Sequence, residues 1–128
     1  MSPKVPSKKL TKPLTEVELE MMNIIWNIAP CTVAQIIEEL PKNRDLAYTS
    51  VSTIVRILET KKFLKSHKEG RGHLYSPLVR KEDYQNKSID HMVKNVFDGV
   101  PASLVRQLLQ SDSLTSKDIE DIKKILRN

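Results

Sequence analysis

Hydrophobic residues between positions 15 and 61 recur at i, i+3, i+4 and i+7, which is the spacing of one face of an α-helix. The pattern predicts three amphipathic helices, over residues 15–28, 33–40 and about 48–61. Pro30 and Pro41 fall between them, where helices end. The positions predicted to be buried are Val17, Met21, Ile24, Ile25, Ile28, Ile36, Ile37, Leu40, Val51, Ile54, Val55 and Leu58, with Trp26 at the flank of the first stripe.

Three predicted helices begin with the same capping signal. A threonine stands three residues before an acid or amide, which is the spacing of a capping box. The pairs are Thr15 with Glu18, Thr32 with Gln35, and Thr115 with Asp118 as a weaker box. Cys31, directly before Thr32, is then expected to be a small buried residue packed against Ile36. A single cysteine provides neither an internal disulfide nor a thiolate metal site.

Residues 64–77 change to an extended pattern that predicts a short β-hairpin. Apolar and polar side chains alternate from Leu64, a flexible tip is predicted at residues 69–72, and the second strand ends near Pro77. Three helices followed by a basic hairpin is the order of a winged helix-turn-helix. In that fold the third helix enters the major groove of DNA and the hairpin, called the wing, contacts the flanking backbone.

The composition agrees with a mostly α protein. Of 128 residues, 39% are hydrophobic and 29% charged, while only 3 are Gly, which favours helices over a sandwich or barrel. No apolar run approaches the roughly 18 residues that a membrane span needs, and the start of the chain has no apolar signal-peptide core. We therefore expect one or two small cytoplasmic domains.

The net charge of +5 is unevenly distributed along the chain. Residues 1–14 carry +4, residues 15–40 carry −5, residues 41–80 carry +6 and residues 81–128 are neutral. Clustered Lys and Arg neutralise phosphates, so the third segment favours a nucleic-acid surface, with a solvated basic surface as the alternative. The candidates for phosphate contact are Lys65, Lys68 and Arg71 on the hairpin, and Lys4, Lys8, Lys9 and Lys12 in a basic, flexible tail at residues 1–13.

The third helix turns a hydroxyl-rich face away from its apolar stripe. The residues of this face are Thr49, Ser52, Thr53, Arg56 and Thr60, and Tyr48 stands at the start of the helix. This face is expected to contain no acid, whereas surface helices usually mix Glu with Lys. Short hydroxyl groups and one Arg are suited to phosphates and base edges, and a neutral solvated face is the alternative. Arg56 is the best candidate for a bidentate contact to guanine, although a phosphate contact also fits its position.

Residues 81–128 form a separate predicted region of three amphipathic helices, following a winged-helix domain at residues 14–80. Gly99 is expected to stop the first helix and Pro101 to start the second. Fewer than 50 residues enclose a core of their own with difficulty, which favours a two-fold interface with a second copy; packing against the N-terminal domain is the alternative. The candidates for dimerisation are Ile89, Met92, Val93, Val96, Phe97, Leu104, Leu108, Ile119 and Ile122, with Val105, Leu109, Ile125 and Leu126 also on the apolar stripes.

Four segments together resemble the penicillinase repressor family (BlaI/MecI, with the copper-responsive CopY branch). They are LTEVELEMMNIIW, TVAQIIEEL and AYTSVSTIVRILETKKFL in the three helices, and GRGHLYSPLV in the hairpin. The resemblance runs from about Leu14 to the C-terminus. It implies a homodimeric transcriptional repressor with a winged helix and a C-terminal helical dimerisation region, binding double-stranded DNA at a palindromic operator.

The sequence departs from the family pattern at specific positions. Ile57 and Lys62 stand where the family usually has Arg and Gly, so Lys62 must either adopt a left-handed conformation or end the helix differently. The resemblance also implies cleavage by a regulatory protease at an Asn-Phe bond. Gln107 and Leu108 stand there, which leaves control by a protease open. No cysteine follows Cys31, so the C-terminal cysteine motif of the copper branch is absent.

An enzyme is a competing class without motif support, since the sequence has no nucleophile elbow, HExxH or Gly-rich phosphate loop. His67 and His73 flank the hairpin tip and can face each other across the strands, but two histidines without a third ligand favour polar or DNA-proximal positions over a metal site. We expect no catalysis, cofactor or metal. The remaining alternative is a winged-helix module that binds proteins and lacks sequence-specific DNA binding.

Overall fold

The computed structural model of the chain describes residues 13–128 as six helices and one two-stranded antiparallel sheet. In chain order the elements are α1 (Glu16–Ile28), α2 (Val33–Glu38), α3 (Tyr48–Thr60), β1 (Leu64–Glu69), β2 (Gly72–Pro77), α4 (Lys81–Asn95), α5 (Pro101–Gln110) and α6 (Ser116–Arg127). The predicted fold class, mostly α with a winged helix-turn-helix, is confirmed. The chain divides into two compact units, the first ending at Ser88 and the second running from Ile89 to Asn128.

The core of the first unit lies between α1, α2, α3 and the hairpin. Its buried residues are Met21, Met22, Ile25, Cys31, Val33, Ile36, Val51, Val55, Leu58, Phe63, Leu64, Tyr75 and Val79. The predicted stripe on α1 needs a correction, because Val17, Ile24 and Ile28 are only partly buried whereas Met22 is fully buried. Both α3 and β2 pack on α1. Because they cover it from two directions, the buried side of α1 includes Met22 as well as part of the predicted stripe.

The three predicted capping boxes are confirmed. In each, the threonine hydroxyl accepts the backbone N–H three residues on, and the acid or amide at that position accepts the threonine N–H. The second helix is shorter than predicted and ends at Glu38. The N–H groups of Glu39 and Leu40 donate to carbonyls three residues back, at Ile36 and Ile37, so the chain tightens before Pro41 and leaves the α-helical path.

A Schellman motif ends α3 and directs the chain into the hairpin. Lys62 adopts the left-handed conformation, with φ at 71°, which is the first of the two predicted alternatives. Its N–H donates to the carbonyl of Glu59 over 3.0 Å, and the N–H of Phe63 donates to that of Leu58 over 2.9 Å. Leu58 and Phe63 are both buried. Their contact with the core offsets the roughly 1 kcal/mol that a left-handed lysine costs.

The hairpin joins the body of the first unit through a third backbone segment. Cys31 exchanges two hydrogen bonds with Tyr75 of β2, over 3.1 and 2.7 Å, and Cys31 is fully buried, as predicted. The tip is shorter than the predicted four residues because Glu69 pairs with Gly72. Only two residues remain in the turn, and Gly70 has the positive φ, 60°, that such a turn requires at its first position.

The first unit includes the start of α4. The ring of Tyr84 lies 5.9 Å from the rings of both Trp26 and Phe63. Its hydroxyl accepts the N–H of Leu14 over 3.0 Å, and the indole of Trp26 donates to the carbonyl of Val79 over 2.9 Å. These contacts hold the first turns of α4 to α1.

The second unit consists of the rest of α4 with α5 and α6. The regular part of α4 ends at Asn95, earlier than predicted. The chain then turns through Asp98 and Gly99, both at positive φ, and the N–H of Gly99 donates back to the carbonyl of Val93 over 2.8 Å. Gly99 therefore closes the turn after the helix, and Pro101 begins α5 as predicted.

An ion pair between α1 and the end of α3 is the main buried polar contact of the core. The ammonium of Lys61 donates to both carboxylate oxygens of Glu18, over 2.8 and 2.9 Å, and only 6% of Glu18 is exposed. Burial alone raises the pKa of Glu18, but the hydrogen bonds from Lys61 and Thr15 and the charge of Lys61 outweigh it, so the pKa lies below its ordinary value of 4.5. The stabilisation is present above that ordinary value and is lost as the pH falls through the lowered one.

Replacing Lys61 by methionine should lower the free energy of unfolding by about 3 kcal/mol at neutral pH, because a buried carboxylate loses its partner. The deficit should shrink toward about pH 4, where Glu18 of the variant takes up a proton. Urea unfolding at both pH values measures it. The control is Lys62→Met, which removes the neighbouring exposed lysine and should cost little. An equal deficit at both pH values would contradict the role of the pair.

Candidate nucleic-acid interface

The exposed face of α3 lies opposite its buried residues. Thr49, Thr53 and Arg56 are exposed and Ser52 is partly exposed, while Val51, Val55 and Leu58 on the other side are fully buried. Tyr48 at the start of the helix is 58% exposed. The core thus fixes the rotation of α3 about its own axis, and the residues predicted to face the major groove point outward.

The hydroxyl of Thr53 is already used within the helix. It donates to the carbonyl of Thr49 over 2.9 Å, a common local bond of threonine inside helices. In the free protein the hydroxyl proton is therefore used within the helix. Toward solvent, Thr53 offers the lone pairs of its oxygen and its methyl group.

An acid borders the hydroxyl-rich face, which corrects the sequence-based description. Glu59 follows Ser52 by seven residues and so lies on nearly the same side of the helix, about two turns further on. Its carboxylate accepts the hydroxyl of Ser66 in β1 over 2.6 Å. The side chain is thus directed to the hairpin, and it ties α3 to the wing.

Tyr75 lies at the junction of α3 and the hairpin. Burial raises the pKa of its phenol, the negative charge of Glu59 raises it further, and the positive charge of Arg56 opposes them. The ring of His73 stacks on Tyr75 at 6.4 Å. The phenol therefore stays neutral, close to the two charged residues that flank the wing.

The hairpin register divides the predicted basic residues between two faces. Lys68 pairs with His73 and shares a face with Ser66 and Tyr75, which is the face toward α3. Lys65 pairs with Ser76 and therefore lies on the opposite face. Arg71 is exposed in the two-residue turn. Lys68 thus lies on the α3 side of the hairpin, Arg71 lies at its tip, and Lys65 lies on the other face; a phosphate contact of each stays a prediction.

The same register separates the two histidines of the hairpin. His67 pairs with Leu74 and His73 pairs with Lys68, so the rings lie on opposite faces and do not face each other. The ring of His67 lies 3.6 Å from Glu69. Among residues 13–128, no group of three or more His, Cys, Asp or Glu side chains is placed to hold a metal ion.

The remaining candidates for phosphate contact belong to the N-terminal tail. They are Lys4, Lys8, Lys9 and Lys12, and they lie before residue 13, outside the described residues. From residue 13 onward, no helix has the length and apolar character to cross a membrane.

The predicted dimerisation residues all lie in the second unit. No residue of α5 or α6, and none of α4, is buried. Ile125 and Leu126, expected to be covered, are 70% and 79% exposed. In a single chain this unit therefore leaves its apolar stripes in contact with water. The predicted residues that are exposed are Ile89, Met92, Val96, Leu108 and Ile119, and those partly buried are Val93, Phe97, Leu104 and Ile122.

A sequence model of the penicillinase repressor family matches residues 14–128. The chain belongs to the penicillinase repressor family. It is 28% identical over 113 residues to the penicillinase repressor of Bacillus licheniformis, covering 88% of each chain. It is 29% identical over 116 residues to the methicillin resistance regulatory protein MecI of Mammaliicoccus sciuri, covering 91% of this chain and 94% of that one.

A solved structure of a repressor domain matches about half of the chain. It is the solution structure of the DNA-binding domain of the repressor BlaI, with a TM-score of 0.50 and 32% sequence identity. The match covers 56% of this chain and 87% of that domain. The shared part is the size of the winged-helix unit.

Replacing Arg71 by alanine should reduce the slope of log K against log salt concentration by about 0.9, since one phosphate contact is lost. Specific and random DNA should be affected alike, because phosphates carry no sequence information. Fluorescence anisotropy titrations at several salt concentrations measure both. The control is Lys117→Ala, which removes an equal charge from α6. An unchanged slope for Arg71→Ala would show that this side chain is merely solvated.

Proposed function

We propose that two copies of this chain bind a palindromic operator and repress transcription. As a member of the penicillinase repressor family, the chain is a DNA-binding transcriptional repressor. In the proposed complex, α3 of each copy lies in the major groove of one half-site. The wing contacts the neighbouring phosphates through Lys68 and Arg71.

The observation that carries this proposal is the outward-facing surface of α3. Thr49, Ser52, Thr53 and Arg56 occupy the side of the helix that the core leaves free. The hydroxyls provide hydrogen-bond donors and acceptors, and the guanidinium provides donors. These are the groups that match the base edges of the major groove. The hairpin next to it, linked through Ser66 and Glu59, adds basic side chains on the face toward α3.

Arg56 is the residue we assign to base recognition. It is exposed, and its planar guanidinium matches the two acceptors of guanine in the major groove. A phosphate contact is the alternative for the same side chain. The two roles differ in what they do to specificity, which makes them separable by experiment.

The experiment begins with selection of a binding sequence from random duplexes by the full chain. Arg56→Ala should then weaken binding to the selected operator by about 1–3 kcal/mol and relax the preference at one base pair in each half-site. Affinity for random DNA should stay nearly unchanged. The affected positions should repeat about 10 base pairs apart, or at a multiple of that distance.

Parallel loss of affinity for both DNAs would instead assign Arg56 to a phosphate. Alanine variants of Thr49, Ser52 and Thr53 extend the test along the helix. Full affinity and unchanged preference in all four variants would mean that α3 does not read the groove. The chain would then be better explained as a module that binds other proteins.

The two-fold arrangement is supported by the apolar stripes of the second unit. Met92 on α4 is 42% exposed, Leu108 on α5 is 44% exposed and Ile119 on α6 is 40% exposed. Exposed apolar side chains on all three helices of one unit are costly in water, and such exposure is typical of an interface. A second copy is the simplest partner, because one patch then serves both sides.

Light scattering of the full chain should give twice the 14.7 kDa mass of one chain. Leu108→Asp should shift the mass toward one chain, because a charge cannot be buried in the interface without a partner. The control is Lys124→Asp on the side of α6 opposite its apolar stripe, which should leave the mass unchanged. A mass of one chain for the unaltered protein at micromolar concentration, with cooperative unfolding intact, would contradict the proposed dimer.

A further inference from the structure

Three residues on α3 form a row of β-branched side chains. Thr49, Thr53 and Ile57 are spaced four residues apart, so each lies one turn after the last on the same side of the helix. Thr49 and Thr53 are exposed, and Ile57 is 40% exposed. The row therefore continues the hydroxyl-rich face with an isoleucine that the core does not cover.

The outer groups of the Thr53–Ile57 pair are methyl groups. The hydroxyl proton of Thr53 is held by the carbonyl of Thr49 over 2.9 Å. Ile57 has no polar group in its side chain. In a helix the first torsion of isoleucine has one strongly preferred value, and that of threonine has two, of which the hydrogen bond to Thr49 holds one. The methyl groups on the β-carbons of Thr53 and Ile57 therefore lose little entropy when they contact a ligand.

The major groove of DNA contains one apolar mark, the C5-methyl group of thymine. Threonine methyls and aliphatic side chains contact it without a hydrogen bond. Four residues of helix rise 6 Å, which is roughly two base-pair steps of 3.4 Å. Two methyl-bearing side chains at this spacing can therefore contact base pairs of the same half-site.

We infer that Thr53 and Ile57 form a methyl-reading pair that selects thymine in each half-site of the operator. The inference rests on the proposed function, in which α3 lies in the major groove. A lone exposed isoleucine is common on protein surfaces. Here it lies one turn after a threonine whose donor is used, on the helix that also carries Arg56, and it can distinguish base pairs only by apolar contact.

The test uses the selected operator with each thymine replaced in turn by deoxyuridine. This change removes the C5-methyl group and leaves the base-pair hydrogen bonds intact. At one or two positions per half-site the full chain should bind about fourfold more weakly, the effect expected for one methyl group leaving an apolar contact. Anisotropy titrations at one salt concentration measure the change.

Variants of Thr53 and Ile57 show which of the two side chains responds to each uracil replacement. Thr53→Val keeps the methyl group and removes the hydroxyl, so it should retain the response to uracil. Thr53→Ser keeps the hydroxyl and removes the methyl group, so it should lose the response at one position. Ile57→Ala should lose it at the other, while Ile57→Val should keep most of it. Circular dichroism melts confirm that each variant is folded.

Several results would overturn the inference while leaving the proposed function intact. They are a consensus without thymine in the half-site, thymines that tolerate uracil at every position, and an unchanged uracil response in both Thr53→Ser and Ile57→Ala. A selection that returns no consensus would overturn the proposed function and this inference with it.

Discussion

The carboxylate of Glu18 closes the capping box of α1 and also accepts both hydrogen bonds from Lys61 at the end of α3. A buried ion pair adds less net stability than two packed apolar side chains, because both charges lose their hydration. It does join the start of α1 to the end of α3 at one point. The apolar residues behind α3 set the direction of its outward face, and this contact fastens the C-terminal end of the helix.

The position of the wing also depends on the end of α3. Lys61 is followed by the left-handed Lys62, whose Schellman bonds turn the chain into β1. Cys31 then holds β2 by two backbone hydrogen bonds, and Glu59 receives the hydroxyl of Ser66. Helix α3 and the hairpin are thus held at both ends of their junction, so the proposed groove and backbone contacts would share one geometry.

Local features of this structure were predictable from the sequence, and features set by tertiary pairing were not. The capping boxes, the periodicity of α3 and the position of the hairpin depend on residues a few positions apart. Glu18 and Lys61 lie 43 positions apart, and nothing in the local sequence pairs them. The faces of Lys65 and Lys68 required the hairpin register, because a shift of one residue exchanges the two faces of a strand.

The division of contacts on this surface also bears on the need for two copies. In the proposed complex, phosphate contacts from the wing add affinity for every sequence equally, so direct base discrimination comes from α3. One bidentate Arg supplies about 1–3 kcal/mol of discrimination, whereas specific binding typically exceeds non-specific binding by roughly 4–10 kcal/mol. The single Arg of one copy falls below that range. Two copies on one operator double the contribution, so the chemistry of α3 in the first unit and the uncovered apolar stripes of the second independently favour the same two-fold assembly.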